Sequence, residues 1–330
     1  MTAAAGLGLR GYVPIVAAVS MWAFQVPAMH DLGMRWDTPS LTLSRYIIAA
    51  LAFWAILRLA PQTTGAASVG GDSRKTVSLR ARLGLGALMS GFAILFTLGI
   101  VIGDPLLTVT ATAVMPLTAS LVSWAMSGQP PDRALLAALA LVVPGAALAM
   151  PGVDALLTGE TAGTGAEVDI LRVLAGLTLV LVGQATWSLY SLAVGRWMPH
   201  ATQFERTRVS IVWSLPYHTL LFAVAWPAGL IAWDVESQPA ADAALIVLAA
   251  LGPLVLGVLL WNLSVARLGL PICALFLNLI PVLGAGIAAA FGTVPTALQL
   301  AGIAMVMVGM GAAQYRRRTT TAGRSTLPRS

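Results

Sequence analysis

Charged residues are scarce in this chain of 330 residues, because Asp, Glu, Lys and Arg together make up only 10% of it. Hydrophobic residues make up 58%, and the mean hydropathy of +0.85 lies far above that of soluble domains. The composition excludes an ordinary soluble domain and predicts a polytopic membrane protein. The net charge of +6 is scattered over short loops and a tail, which argues against nucleic acid as a partner.

Residues that bind metals or act as nucleophiles are also few. A single cysteine, Cys273, excludes an intramolecular disulfide and any multi-cysteine metal or iron–sulfur site. The three histidines do not form an HExxH motif, and no pair of carboxylates lies inside an apolar run. We therefore predict no metal, no cofactor and no enzyme activity, although a serine nucleophile in a helical bundle stays open as a rival. A channel is a further alternative, but the chain has no TVGYG filter motif.

Ten apolar runs have roughly the 20 residues needed to cross a bilayer. We number these predicted spans 1 to 10, and the first is too long for a typical signal peptide. The spans are 11–29, 40–60, 83–102, 106–126, 134–150, 173–194, 208–226, 244–265, 270–291 and 296–313. The predicted domains are a cytoplasmic amino terminus (1–10), a five-helix repeat (11–150), an acidic extracytoplasmic linker (151–170), a second five-helix repeat (171–314) and a basic, disordered cytoplasmic tail (315–330).

The distribution of basic residues predicts the orientation, because loops rich in Lys and Arg remain cytoplasmic. With both termini inside, sixteen of the 19 basic residues face the cytoplasm and ten of the 13 acidic residues face the other side. We therefore expect a multi-pass protein of the cytoplasmic (inner) membrane with both termini cytoplasmic.

The two halves of the chain resemble each other at a constant offset. Trp22 and Trp187, Phe96 and Trp261, and Pro116 and Pro281 are each 165 positions apart. Spans 5 and 10 add similar Gly/Ala-rich runs around Gly145 and Gly309, as close helix packing in lipid favours. Chance is the alternative, since apolar sequences resemble one another easily. Because five is odd, two consecutive copies must lie in opposite orientations, an architecture typical of secondary transporters.

These residues carry a family resemblance. The chain resembles an EamA-type member of the drug/metabolite transporter superfamily, over nearly all of residues 11–313. The matching features are Trp22, Pro39 with Arg45, the segment WNLSVARLG from Trp261, Pro116 and Pro281, and GIAMVMVGMG from Gly302. The resemblance implies an all-α integral membrane fold of ten helices in two inverted five-helix repeats. It also implies export of amino acids, related metabolites or drugs.

Polar and aromatic side chains inside the spans are the candidate lining of a central cavity, because such groups are costly in a membrane. The predicted substrate-binding residues are Trp22, Gln25, Gln184, Trp187, Tyr190, Tyr217, His218, Trp261, Asn262 and Asn278. For the amides, gluing helices together is an equal alternative, and a lone histidine is more often a packing residue. Pro116 and Pro281 are the predicted kinks, because each removes a backbone donor and frees a carbonyl.

Arg45 has three alternative roles. It lies about two turns from the outer end of span 2, so it is a candidate contact for an anionic group. It is equally able to extend to the lipid headgroups or to pair with helix-end carbonyls.

No Asp or Glu falls in the interior of a predicted span, although proton-coupled transporters commonly use such carboxylates. This absence favours a facilitator, or coupling through His218. The predicted function is a secondary carrier that exports a small amphipathic metabolite by alternating access. Drug efflux, lipid-like substrate flipping and, last, a membrane enzyme are the alternatives. The expected partners are a small-molecule substrate and the bilayer, with a monomer or homodimer as the assembly.

Overall fold

A computed structural model of the chain describes residues 11–59, 77–103, 111, 114–128, 130, 133–149, 170–231, 239–268, 276–290, 292 and 294–325. Every regular element within these ranges is a helix. The first seven are α1 (Val13–Gly33), α2 (Thr38–Leu59), α3 (Leu79–Ile102), α4 (Met115–Ser127), α5 (Arg133–Leu148), α6 (Ile170–Trp197) and α7 (Gln203–Ala225).

The eighth predicted span is a continuous helical rod, residues 239–268, whose middle is wider than an α-helix. It consists of α8 (Pro239–Ala249), the π-helix π1 (Ala250–Gly257) and α9 (Val258–Leu268). Pro253 lies inside π1. The ninth span contains a short 3-10 helix (Leu277–Leu279) followed by α10 (Ile280–Ala290), and the tenth is α11 (Ala297–Ser325).

Five helical stretches of the described chain are long and apolar enough to cross a membrane. They are Val13–Gly33, Thr38–Leu59, Leu79–Ile102, Ile170–Trp197 and Pro239–Trp261. Two shorter apolar helical stretches occur at Leu136–Gly145 and Ala297–Gly309. The chain is therefore helical and spans the membrane several times, while the number of ten spans stays a prediction.

Two expected boundaries are wrong because hydropathy marks the apolar part of a helix rather than its hydrogen-bonded ends. Helix α1 continues past Met29 to Gly33, which places Asp31 in a helix rather than in a loop. At the other end of the chain, α11 continues past Ala313 to Ser325, so most of the expected disordered tail is helical.

Glycine brings neighbouring helices unusually close. A Cβ atom on Gly145 of α5 would lie 2.8 Å from the carbonyl oxygen of Gly302 of α11, and one on Gly309 would lie 3.1 Å from that of Ala138. Residue numbers rise along α5 as they fall along α11, so the two helices are antiparallel. The close packing predicted around Gly145 and Gly309 is therefore confirmed.

Helices α3 and α6 form a second close antiparallel pair. A Cβ on Gly99 would lie 2.8 Å from the carbonyl oxygen of Gly176, and Gly103 also faces Gly176. The other main contacts join α1 to the rod and α10, α2 to the rod and α7, α3 to α7, and α4 to α6. Elements from the two halves of the chain thus alternate within one bundle.

Candidate functional site

Two of the predicted tryptophans lie together where α1 packs on the rod. The rings of Trp22 and Trp261 are 5.2 Å apart, and the Trp22 indole Nε1 donates a hydrogen bond of 3.2 Å to the Pro253 carbonyl. A Cβ on Gly257 would lie 3.0 Å from that indole nitrogen, so glycine leaves room for the ring. Both tryptophans are only partly buried. The structure therefore supports an aromatic wall built from both halves of the chain.

A second aromatic group lies between α3 and α6. The ring of Trp187 is 4.8 Å from that of Phe92 and 5.1 Å from that of Tyr190, and Phe92 is 5.3 Å from Phe96. Trp187 and Phe96 occupy the positions that match Trp22 and Trp261 at the offset of 165. Each matched tryptophan thus packs on an aromatic residue of the other half.

Gln184 is buried and both ends of its amide have partners. Its Nε2 donates a 2.9 Å hydrogen bond to the Ala111 carbonyl, and its Oε1 accepts a long one of 3.4 Å from the Thr118 hydroxyl. Ala111 lies just before α4, and its carbonyl also accepts a 3.1 Å hydrogen bond from the Val114 N–H. The contacts favour the helix-joining role of Gln184 over direct substrate binding.

Gln184→Leu is expected to lower the free energy of unfolding by about 1 kcal/mol, because it removes one of the two hydrogen bonds to the Ala111 carbonyl, which still accepts from the Val114 N–H. Thermal unfolding of the purified protein measures the change. Gln25→Leu is the matched control, since Gln25 is half-buried and makes no hydrogen bond among the described residues. Equal unfolding temperatures for the two variants would contradict the assignment.

The two prolines lie in the first turn of an α-helical segment, and the one at 281 also lies within a longer helical stretch, residues 276–290. Pro116 is the second residue of α4, and Pro281 is the second residue of α10, directly after the 3-10 helix. The preceding parts of both predicted spans, residues 104–110, 112–113 and 269–275, lie outside the described residues, so the kink at each proline stays a prediction. Their gating role stays a prediction. The side chains of Pro116, Pro281, Asn262 and Asn278 lie outside the described ones.

Arg45 lies inside the bundle. Its side chain is 1% exposed, so the interpretation that it extends to the headgroups is wrong. The physical reason is its place on α2, where Leu41, Arg45 and Ala49 follow at helical spacing on one buried face. Next to it, Tyr46 is 1% exposed and its ring lies 4.4 Å from that of His218 on α7, which is fully buried.

Several polar atoms of this group lack a hydrogen-bond partner among the described residues. They are the Arg45 Nε, the Tyr46 hydroxyl and both ring nitrogens of His218. The same apolar cluster contains Tyr46 and Tyr190, with Trp187 packed against it. Four predicted site residues, Arg45, Trp187, Tyr190 and His218, therefore come together around α2, α6 and α7.

Tyr217 directly precedes His218 on α7, but its side chain lies in a different place, against α3. Its hydroxyl donates a 3.0 Å hydrogen bond to the Leu83 carbonyl of α3. It also lines a cavity of about 410 Å³ between α3 and α7, beside Ser90 and the exposed Leu220 and Val224. This groove is apolar and opens on the outer surface of the bundle. The structure therefore separates Tyr217 from the aromatic walls.

Sequence reasoning missed an ionic network at the end of α1. Arg35 lies 2.7 Å from Asp31 and 2.9 Å from Asp242, and the Trp36 indole donates a 3.0 Å hydrogen bond to Asp242. Asp242 was expected in a loop, but it lies in the first turn of α8 and is buried. The hydrogen bonds that Arg35 donates to Asp31 and Asp242 raise the pKa of its guanidinium further, so it stays charged. The network joins the α1–α2 connection to the rod.

Comparisons with known proteins agree with this helical architecture. A crystal structure described only as that of a protein aligns with 94% of this chain and 98% of its own, at 16% sequence identity and a TM-score of 0.58. At that identity the likeness shows the fold alone. No curated protein matches the sequence significantly. Residues 9–150 match the model of the EamA-like transporter family. Residues 9–150 are thus similar to the EamA-like transporter family, the family that the sequence resembles.

Proposed function

We propose that this protein is a secondary carrier that exports a small amphipathic metabolite, an amino acid or a related compound, across the cytoplasmic membrane by alternating access. The family match over residues 9–150 supports membrane transport. The observation that carries the finer proposal is the reciprocal packing of the two halves.

The pattern of helix contacts is nearly unchanged when each span of the first half is replaced by its counterpart in the second half, and the reverse. Span 1 corresponds to span 6, span 2 to span 7, and so on to spans 5 and 10. The contact of α1 with the rod then becomes that of α6 with α3, and the contact of α3 with α7 becomes that of the rod with α2. Likewise α1 with α10 becomes α6 with α4, while the pairs α2–α7 and α5–α11 map onto themselves. A pseudo-two-fold axis between inverted repeats predicts this pattern. It supports a substrate site between the halves.

The side chains at this interface favour an amphipathic organic solute over an ion. The aromatic walls are formed by Trp22 with Trp261 and by Trp187 with Phe92. Aromatic residues with a few polar groups are typical of small-molecule sites. Among the described residues, no three His, Cys, Asp or Glu side chains are grouped so that they could hold a metal ion.

The proposed orientation places both termini in the cytoplasm. Helix α1 then ends on the extracytoplasmic face, and so does the network of Arg35, Asp31 and Asp242. Because this network ties the first half to the rod, it is suited to hold the extracytoplasmic side closed. Both carboxylates are paired there, which supports a facilitator rather than a proton-driven pump.

Counterflow into proteoliposomes tests the carrier. Vesicles with the purified protein are loaded with single amino acids, aromatic amines or cationic drugs, and entry of the labelled compound is followed. A carrier gives saturable entry that unlabelled substrate inside accelerates. Trp261→Ala should reduce this flux, because it removes the ring that packs on Trp22. Trp124→Ala is the control, since Trp124 is 48% exposed on α4. Unsaturable flux without acceleration would indicate a channel instead.

A lipid-like substrate is the second candidate function. The apolar groove between α3 and α7 opens sideways, next to the exposed Leu220 and Val224, where a lipid chain has direct access. The same vesicles, prepared with a fluorescent phospholipid, distinguish the two functions. Lipid exchange between leaflets without solute counterflow would favour the second.

A further inference from the structure

Arg45 is a buried charge without an ion-pair partner among the residues that the structure describes. Both ion pairs found in these residues belong to Arg35. Arginine does not deprotonate in proteins, so the charge of Arg45 persists in the bundle. A buried, uncompensated ion is strongly unfavourable, and an intramembrane charge is by default the mark of a functional site.

The neighbours of Arg45 offer hydrogen bonds rather than an opposite charge. Tyr46 and His218 face each other at 4.4 Å between ring centres, and His218 lies close enough to Arg45 for an electrostatic interaction. The Arg45 Nε–H and the Tyr46 hydroxyl are donors, and a neutral imidazole adds one N–H. These polar atoms are buried and have no partner within the described part of the chain.

We propose that Arg45, Tyr46 and His218 form a binding subsite for a carboxylate, so that the transported solute is a carboxylate-bearing metabolite. The inference rests on the proposed carrier function and names the substrate class of that site. A carboxylate has one negative charge and accepts hydrogen bonds only, which matches one guanidinium and its neighbouring donors. A phosphate dianion would leave one charge uncompensated, and a cation would be repelled.

The place of the subsite in the fold supports a role in transport. It lies where α2 packs on α7, the pair that maps onto itself when the two halves exchange roles. Tyr46 shares its apolar cluster with Tyr190, and Trp187 packs against it. The carboxylate of a solute would bind Arg45, while its apolar part would lie against these aromatic rings.

Pairs of solutes that differ only in the carboxylate test the subsite. Leucine and leucinamide, and phenylalanine and phenylalaninamide, are compared in counterflow and in thermal unfolding of the full chain in nanodiscs. For at least one pair, the acid should be transported and should raise the unfolding temperature at concentrations about 10-fold below those its amide requires. Transport of each acid and its amide alike would overturn the subsite but uphold the carrier.

Arg45→Gln should weaken binding of the acid roughly 10- to 100-fold, the effect expected of a lost charge-assisted hydrogen bond, and should remove the preference over the amide. Arg58→Gln is the control, because Arg58 lies in the last turn of the same helix, next to Trp54. An Arg45→Gln protein that retains full discrimination would overturn the subsite. If that variant does not fold, the wild-type comparison and Arg45→Lys, which keeps the charge, decide.

The two proposals fail in different ways. If no solute in any panel shows saturable flux, the carrier function is overturned. A rise in unfolding temperature with the acid alone, dependent on Arg45, would still support a carboxylate site in that case.

Discussion

Gly86→Ala is expected to destabilise the folded protein by about 3 kcal/mol. Gly86 of α3 faces the backbone of α7, and a Cβ added there would overlap the Trp213 carbonyl and lie 3.0 Å from the Ser214 nitrogen. A side chain in the way would rotate aside, but a backbone carbonyl moves only if the helices separate. The methyl group would therefore force α3 and α7 apart.

Gly195→Ala is the matched control on α6. No atom lies within 4 Å of a Cβ at Gly195. Alanine there should be neutral or stabilise the protein by up to about 1 kcal/mol, since it favours a helix more than glycine does. Thermal unfolding, followed by tryptophan fluorescence, and protein yield in the membrane measure both variants. The contact assignment would be wrong if Gly86→Ala unfolded at the temperature of Gly195→Ala.

Cross-linking positions 35 and 242 is expected to abolish transport almost completely. The Arg35 and Asp242 side chains meet at 2.9 Å and join the α1–α2 connection to the rod. If the extracytoplasmic side must open in each cycle, a covalent link there stops the carrier in one state. Arg35→Cys and Asp242→Cys are combined in a protein whose Cys273, outside the described residues, is replaced by serine. Flux is measured before and after a short bifunctional methanethiosulfonate reagent.

Reduction should restore the flux, because the reagent is attached through disulfides. Each single-cysteine variant, treated in the same way, controls for modification without a link. Full flux through a protein shown by mass to be cross-linked would contradict a gate at this position. Before the reagent is added, the double-cysteine variant should still transport, because it lacks the Arg35–Asp242 ion pair that holds the extracytoplasmic side closed.

The sequence predicted the parts of the fold that depend on composition along the chain. Apolar runs located the helices, and the candidate lining residues included Trp22 and Trp261, which lie in one aromatic wall. The sequence did not predict as well which face of a helix each side chain lies on. Apart from Arg58, the residues of α2 that follow Arg45 are apolar or aromatic all round the helix, so hydropathy alone did not show that Arg45 lies on a buried face.

Long-range contacts between polar residues were beyond the sequence alone. Arg35 and Asp242 are 207 positions apart, and each was expected in a connection between predicted spans. Gln184 was a recognised buried amide, but its partner is a backbone carbonyl, which carries no sequence signal. The π-helical segment has no marker apart from Pro253, because apolar periodicity does not distinguish it from an α-helix.

The π-helix also bears on the history of the two halves. A single-residue insertion in a helix can be absorbed in a π-helical turn, which spares the remaining side chains a rotation. The matching part of α3 is regular α-helix. The offset of 165 is the same for Trp22 and Trp187, upstream of π1, and for Phe96 and Trp261, downstream of it, so on the proposed duplication the two copies differ here in helix geometry rather than in length. Only one copy then contains a π-helix, so the two halves are not equivalent. Inward and outward opening would therefore differ in free energy even in a membrane with identical solutions on both sides.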